Sequence, residues 1–188
     1  VSADHGSFSG YGSVFGVVDL GGDVVDAGAF SATLAEFRKS GLILWAHDRS
    51  RPVAMPAVAR EDRFGLWLQG DFHSTPDAQA ARAVVGERLA NGFSFGLSIG
   101  YIVRRDAYVK GIRHLVTVDL VEVSLVALPM LPVATVTAVK GVVFGEPVPL
   151  KVAALGSAGR MSAAQGEILR LTGQARALGV PVDGRGRR

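Results

Sequence analysis

No cysteine occurs in the 188 residues, which excludes a disulfide frame and thiolate chemistry and suits a reducing compartment. Long apolar runs are missing too. Glycine or charge interrupts each one well before the roughly 20 residues that a membrane-spanning helix requires. The four histidines, His5, His47, His73 and His114, show no paired ligand spacing, so neither a metal nor any other cofactor is expected. Aromatic residues make up 7% and do not interleave with basic ones, which argues against specific nucleic-acid binding. Net charge is only +3, and much of the basic excess lies in the terminal "GRGRR", read as a solvated tail. The first residue is Val, so the chain is read as processed or trimmed, with any leader outside it.

What remains is 48% hydrophobic and 20% charged, enough for one well-buried core. "FSGYGSVFGVVDL" reads as a glycine-rich strand turning at "DLGGD". A short helix is predicted over 29–41 and a buried strand in "LILWAHD", 42–48. "PVAMPAVARED" and "FGLWLQGDF" form a hairpin around Asp62 and Arg63. The best helix is "STPDAQAARAVVGERLANG", with Thr75 as cap, Pro76 in the first turn and an apolar stripe of Ala78, Ala81, Val84, Val85 and Leu89. Strands follow at 92–101, 112–128 and in "VATVTAV". Many strands with few helices between them predict a mainly antiparallel barrel or sandwich with peripheral helices over residues 1–140. Residues 141–188 read as a Gly/Pro/Ala-rich linker and a tail with one helix at 162–178.

Within "GFSFGLSIGY", 92–101, period-two alternation puts Phe93, Phe95, Leu97, Ile99 and Tyr101 on one face. Ser94, Gly96, Ser98 and Gly100 occupy the other. Strand interiors avoid glycine, and the glycines around the Ser98 hydroxyl are read as room for a substrate backbone to approach within bonding distance. Two further polar residues interrupt apolar segments. His47 ends "LILWAH", and Glu122 lies in "VTVDLVEVSLV" in phase with Val116, Val118 and Leu120. Asp119 falls in the other phase, and a bulge between the two carboxylates would exchange their faces. Serine, histidine and carboxylate are the types that nucleophilic serine catalysis requires, the base within reach of the hydroxyl and the acid orienting the base. Taken singly, each also has an ordinary structural reading: a satisfied strand-end histidine, a strand-filling serine, a carboxylate paired with arginine. "GLSIG" also matches the G-x-S-x-G nucleophile elbow, whose histidine would be His114. That histidine follows Ser98 by only sixteen residues, and no alternation of strands and helices surrounds the motif.

Four blocks in order carry a resemblance: "GYGSVFGVVDLGGDVVDAGAF", "LWAHD" followed by "RPVA", "GLSIGY", and "DLVEVSLVALPMLPVATV". Together they resemble the prohead maturation proteases of tailed bacteriophages, a family similar to the herpesvirus capsid-assembly proteases. The resemblance implies a small antiparallel barrel ringed by helices, of the herpesvirus-protease-like type. It implies a serine endopeptidase with Ser98 as nucleophile, His47 as base and Glu122 in the third place, where the herpesvirus enzymes have a histidine. Those enzymes also place arginines after this strand, beside the oxyanion. Here "PMLP" has none, which leaves backbone N–H groups near Met130 and Leu131. The implied setting is the inside of an assembling prohead in the host cytoplasm, with scaffold and major capsid protein, and the chain itself, as substrates. A homo-oligomer, dimer or higher, is expected, with no membrane and no specific nucleic acid as partner. Two rival readings stand beside this one: a non-catalytic capsid or scaffold module of the same fold, and an esterase using Ser98 with His114.

Overall fold

The computed structural model describes residues 5–140; the predicted linker and the helix at 162–178 lie outside the described residues. In chain order come β1 (Ser7–Val14), β2 (Asp23–Val25), α1 (Leu34–Ser40), β3 (Leu42–Trp45) and β4 (Asp48–Glu61). β5 (Gly65–Phe72), α2 (Pro76–Ala90), β6 (Gly96–Val109), β7 (Ile112–Val126) and β8 (Val136–Val139) follow. The architecture is mainly β with two peripheral helices, as the sequence predicts.

Short polar side chains make the corners. Asp62 Oδ1 accepts the N–H groups of Phe64 at 2.8 Å and Gly65 at 3.2 Å, closing the predicted β4–β5 hairpin. Thr75 caps α2 through Ala78 N–H, and Ala78, Ala81 and Val85 turn into the core. Val84, placed in the apolar stripe by spacing, is 44% exposed. β6 begins only at Gly96, because Gly92 leaves the helix at φ 77° and carries Phe93 outward.

β7 organises the sheet. One edge carries β6 antiparallel along its whole length, from Val109 opposite Ile112 to Gly96 opposite Val126. The other edge carries β2 and then β3 end to end, at Arg113–Leu115 and Glu122–Leu125, both parallel to β7. The sheet is mainly antiparallel, as the sequence predicts, and these two parallel pairings make it mixed. The physical reason is that the segment between β2 and β3 advances along β7 instead of turning back. That segment also satisfies the backbone in the gap. Asp26 N–H donates to Leu115 O at 3.1 Å, Ala29 O accepts Val118 N–H at 3.0 Å, and Thr33 Oγ1 accepts Leu120 N–H at 3.2 Å.

From β3 the sheet continues antiparallel through β4, β5, β1 and β8. Its curl returns to the start of β6, where Gly96 and Thr135 form an isolated bridge. Leu97 N–H to Ala134 O and Val136 N–H to Phe95 O, both 2.9 Å, hold this seam, so the barrel is not closed by a continuous ladder. Phe8, Ile43, Leu66, Leu68, Leu97, Leu115, Val123 and Leu125 fill the interior. Among the described residues, no helix is long and apolar enough to cross a membrane.

Candidate active site

Three neighbouring strands carry the site, with β7 between β3 and β6. Ser124 of β7 lies opposite Ser98 of β6 on one side and Leu44 of β3 on the other. Two residues back, Glu122 lies opposite Gly100 and Leu42. Residues paired across a ladder share a face. Ser98, Gly100, Glu122 and Ser124 therefore share one face, while Leu97, Ile99, Val123 and Leu125 turn to the core side.

The strand phase of Glu122 differs from the expectation. Tyr101 pairs with Leu120 and Gly100 with Glu122, so Val121 is an extra residue on β7. This bulge reverses the alternation, putting Glu122 on the face opposite Val118 and Leu120 rather than beside them. Asp119 does not gain the site by the exchange. It lies opposite Ile102 and accepts from Arg104 Nε at 2.6 Å on the exposed surface.

The glycines flanking Ser98 are explained by what crosses them. A Cβ on Gly100 would lie 2.3 Å from Glu122 Oε1, and one on Gly96 would lie 2.6 Å from the Pro129 ring. The small face is thus occupied, by the Glu122 carboxylate at one end and the "PMLP" segment at the other.

His47 arrives through a two-residue turn between Trp45 and Asp48, which are paired. Ala46 and His47 both take positive φ, 53° and 61°, the signs of a type I′ hairpin turn. Non-glycine residues in this region are uncommon and strained. The strain is held by bonds to β7: Ala46 N–H to Leu125 O at 2.9 Å and His47 N–H to Ser124 Oγ at 3.1 Å. Behind the turn, the Trp45 ring stacks on Phe95 at 5.4 Å, and Arg51, paired with Asp77, lies over Trp45.

So placed, His47 Nδ1 meets Glu122 Oε1 at 2.7 Å. The imidazole is half exposed, whereas the Glu122 side chain is about nine-tenths buried. Glu122 Oε2 accepts the Ser124 hydroxyl at 2.6 Å. Both carboxylate oxygens therefore have a donor, which a buried carboxylate requires. With Nδ1 bound to the carboxylate, Nε2 is the nitrogen free to act as base. Ser98 is 7% exposed, and among the described residues its Oγ makes no hydrogen bond. Histidine and carboxylate are thus in direct contact, and the serine stands across the ladder from Ser124.

The fourth member of this group, Ser124, was not singled out from the sequence. The signal was available, since in "EVS" it shares the strand phase of Glu122 within an apolar run. His114 is elsewhere. It lies opposite Ala107, ten positions along β7 from Ser124, about 30 Å at strand rise. There it bonds Asp26 Oδ1 at 2.7 Å, so the structure does not bring it to Ser98.

Residues 1–143 match the family described as Caudovirus prohead serine protease, about three-quarters of the chain. The chain belongs to this family. The chain is also similar to the prohead protease of Enterobacteria phage HK97. It is 32% identical over 105 residues, 55% of this chain and 45% of that protein, so the match spans less than half of the relative's length. Among solved structures, the KSHV protease crystallised with a hexapeptide phosphonate inhibitor is similar at a TM-score of 0.47 and 14% identity, over 90% of this chain and 77% of that one.

Proposed function

We propose that this chain is a serine endopeptidase of capsid maturation, with Ser98 as nucleophile, His47 as general base and Glu122 as the orienting carboxylate. The observation that carries the reading is the 2.7 Å contact of His47 Nδ1 with a buried Glu122, which lies opposite Gly100, two residues along β6 from Ser98 and on the same face. Family membership supports the same chemistry.

Ser98 Oγ attacks the scissile carbonyl as His47 Nε2 takes its proton, and Glu122 stabilises the imidazolium that forms. His47 then returns the proton to the leaving amine, and water hydrolyses the acyl-enzyme by the same relay. The oxyanion is met by backbone N–H groups near Met130 and Leu131, in the segment that crosses Gly96, two residues from Ser98. The substrates are scaffold and major capsid protein segments and the chain itself, cut inside the assembling prohead by a homo-oligomer.

Labelling with a serine-directed fluorophosphonate, mapped by mass spectrometry, tests the reading. One adduct is expected, on Ser98, absent from Ser98→Ala and from heat-denatured protein. Failure of Ser98 to label across pH and concentration would favour the non-catalytic module.

A further inference from the structure

We infer that Ser124 is a positioning residue of this site, a buried hydroxyl that locks the carboxylate and the histidine turn together. The inference rests on the catalytic reading of Glu122 and His47. Ser124 is fully buried, and its Oγ is used twice. It donates to Glu122 Oε2 at 2.6 Å and accepts the backbone N–H of His47 at 3.1 Å. A hydroxyl supplies both functions at once, because it carries one proton and two lone pairs.

The two bonds act on different freedoms. The bond to Oε2 stops the carboxylate from rotating about its last torsion, so that Oε1 stays toward Nδ1. Terminal sp³–sp² torsions are broad and otherwise poorly fixed. The bond from His47 N–H holds the left-handed turn, on which the position of the imidazole depends. His47 is half exposed and has little packing of its own to hold it. Ser124 also lies directly opposite Ser98, so all three groups are referred to one point on β7. A filler serine would need neither contact. A buried one needs a single partner, and either its own backbone neighbours or one of these groups would serve.

The test is a double-mutant cycle in the full chain, read by the rate of Ser98 labelling with a fluorophosphonate. Ser124→Ala should lower the maximal labelling rate by about tenfold or more, the scale of a hydrogen bond to a charged group, with the half-saturating probe concentration unchanged. Ser124→Ala should cost clearly less in the Glu122→Gln background than in the wild type, because the part of its role that works through the carboxylate is already lost and only the bond to the His47 turn remains. Multiplying losses would indicate a merely structural serine and overturn the inference. If Glu122→Gln is slow and Ser124→Ala is as fast as wild type, this inference falls while the triad stands. If Glu122→Gln keeps the full rate, both fall. Should Ser124→Ala fail to fold, Ser124→Cys, a weak donor and acceptor of similar volume, takes its place in the cycle with the same expectations.

Discussion

At the residue scale, the Glu122 carboxylate is buried, has a hydrogen-bond partner on each oxygen and lies against Gly100 of β6. Glu122→Gln is expected to fold and to lose turnover by about a hundredfold, read as the labelling rate of Ser98. An amide presents an N–H where Nδ1–H needs an acceptor, which favours the wrong tautomer. The corresponding change in a fully enclosed Ser-His-Asp site costs ~10⁴-fold, and a half-exposed imidazole should cost less. Asp119→Asn is the matched control, since it removes only a surface pair with Arg104, and it should stay within about twofold of wild type. A dead Asp119→Asn beside an active Glu122→Gln would transfer the orienting role. Gly100→Ala tests the same geometry from the other strand. Its Cβ would lie 2.3 Å from Glu122 Oε1, so the carboxylate must move and labelling should slow. Unchanged labelling would mean that the carboxylate position does not matter.

At the element scale, the turns hold the strands in register, and the β4–β5 turn has a titratable lock in Asp62. Burial acts to raise the Asp62 carboxyl, but the Phe64 N–H, the Tyr11 hydroxyl, the Gly65 N–H and Arg60 together hold it below its ordinary 3.8. A carboxyl lowered on folding stabilises the chain fully above its unfolded value and stops doing so as pH falls through the folded one. Wild type should therefore exceed Asp62→Asn by about 1 kcal/mol near neutrality, with the difference closing below about pH 4. Urea midpoints at pH 7 and pH 3 measure it. A difference that is constant with pH would show that the lost bonds, not the charge, are responsible.

At the scale of the whole molecule, the sheet meets itself along a short seam, and the seam borders β6, the strand that carries Ser98. A Cβ on Gly10 would lie 2.2 Å from Thr135 O, a backbone atom that cannot swing aside. Gly10→Ala must therefore push apart β1 and the segment leading into β8, at an expected cost of about 1–3 kcal/mol. Because Leu97 N–H is bonded to Ala134 O, the displacement passes to β6 one residue from Ser98. Lower thermal stability together with slower Ser98 labelling is the expected result. Slower labelling with no loss of stability would mean that the seam tunes the site without supporting the fold.

The sequence by itself determined the local facts. The β4–β5 corner follows from Asp62, the helix start from Thr75 and Pro76, and the mainly β character from period-two alternation. It also made Ser98, His47 and Glu122 stand out as candidates, because each is polar where its neighbours are apolar, and residue type and strand phase are properties of a few adjacent positions. Only the tertiary structure decided which carboxylate faces the histidine. That choice turns on one bulged residue, Val121, beside the stretch of β7 whose N–H groups are taken by Ala29 and Thr33, nearly ninety positions earlier in the chain. The parallel placement of β2 and β3 and the linkage of Ser124 to both His47 and Glu122 are decided in the same way. They are set by bonds between strands distant in sequence, and strand phase within one segment carries no information about its neighbours.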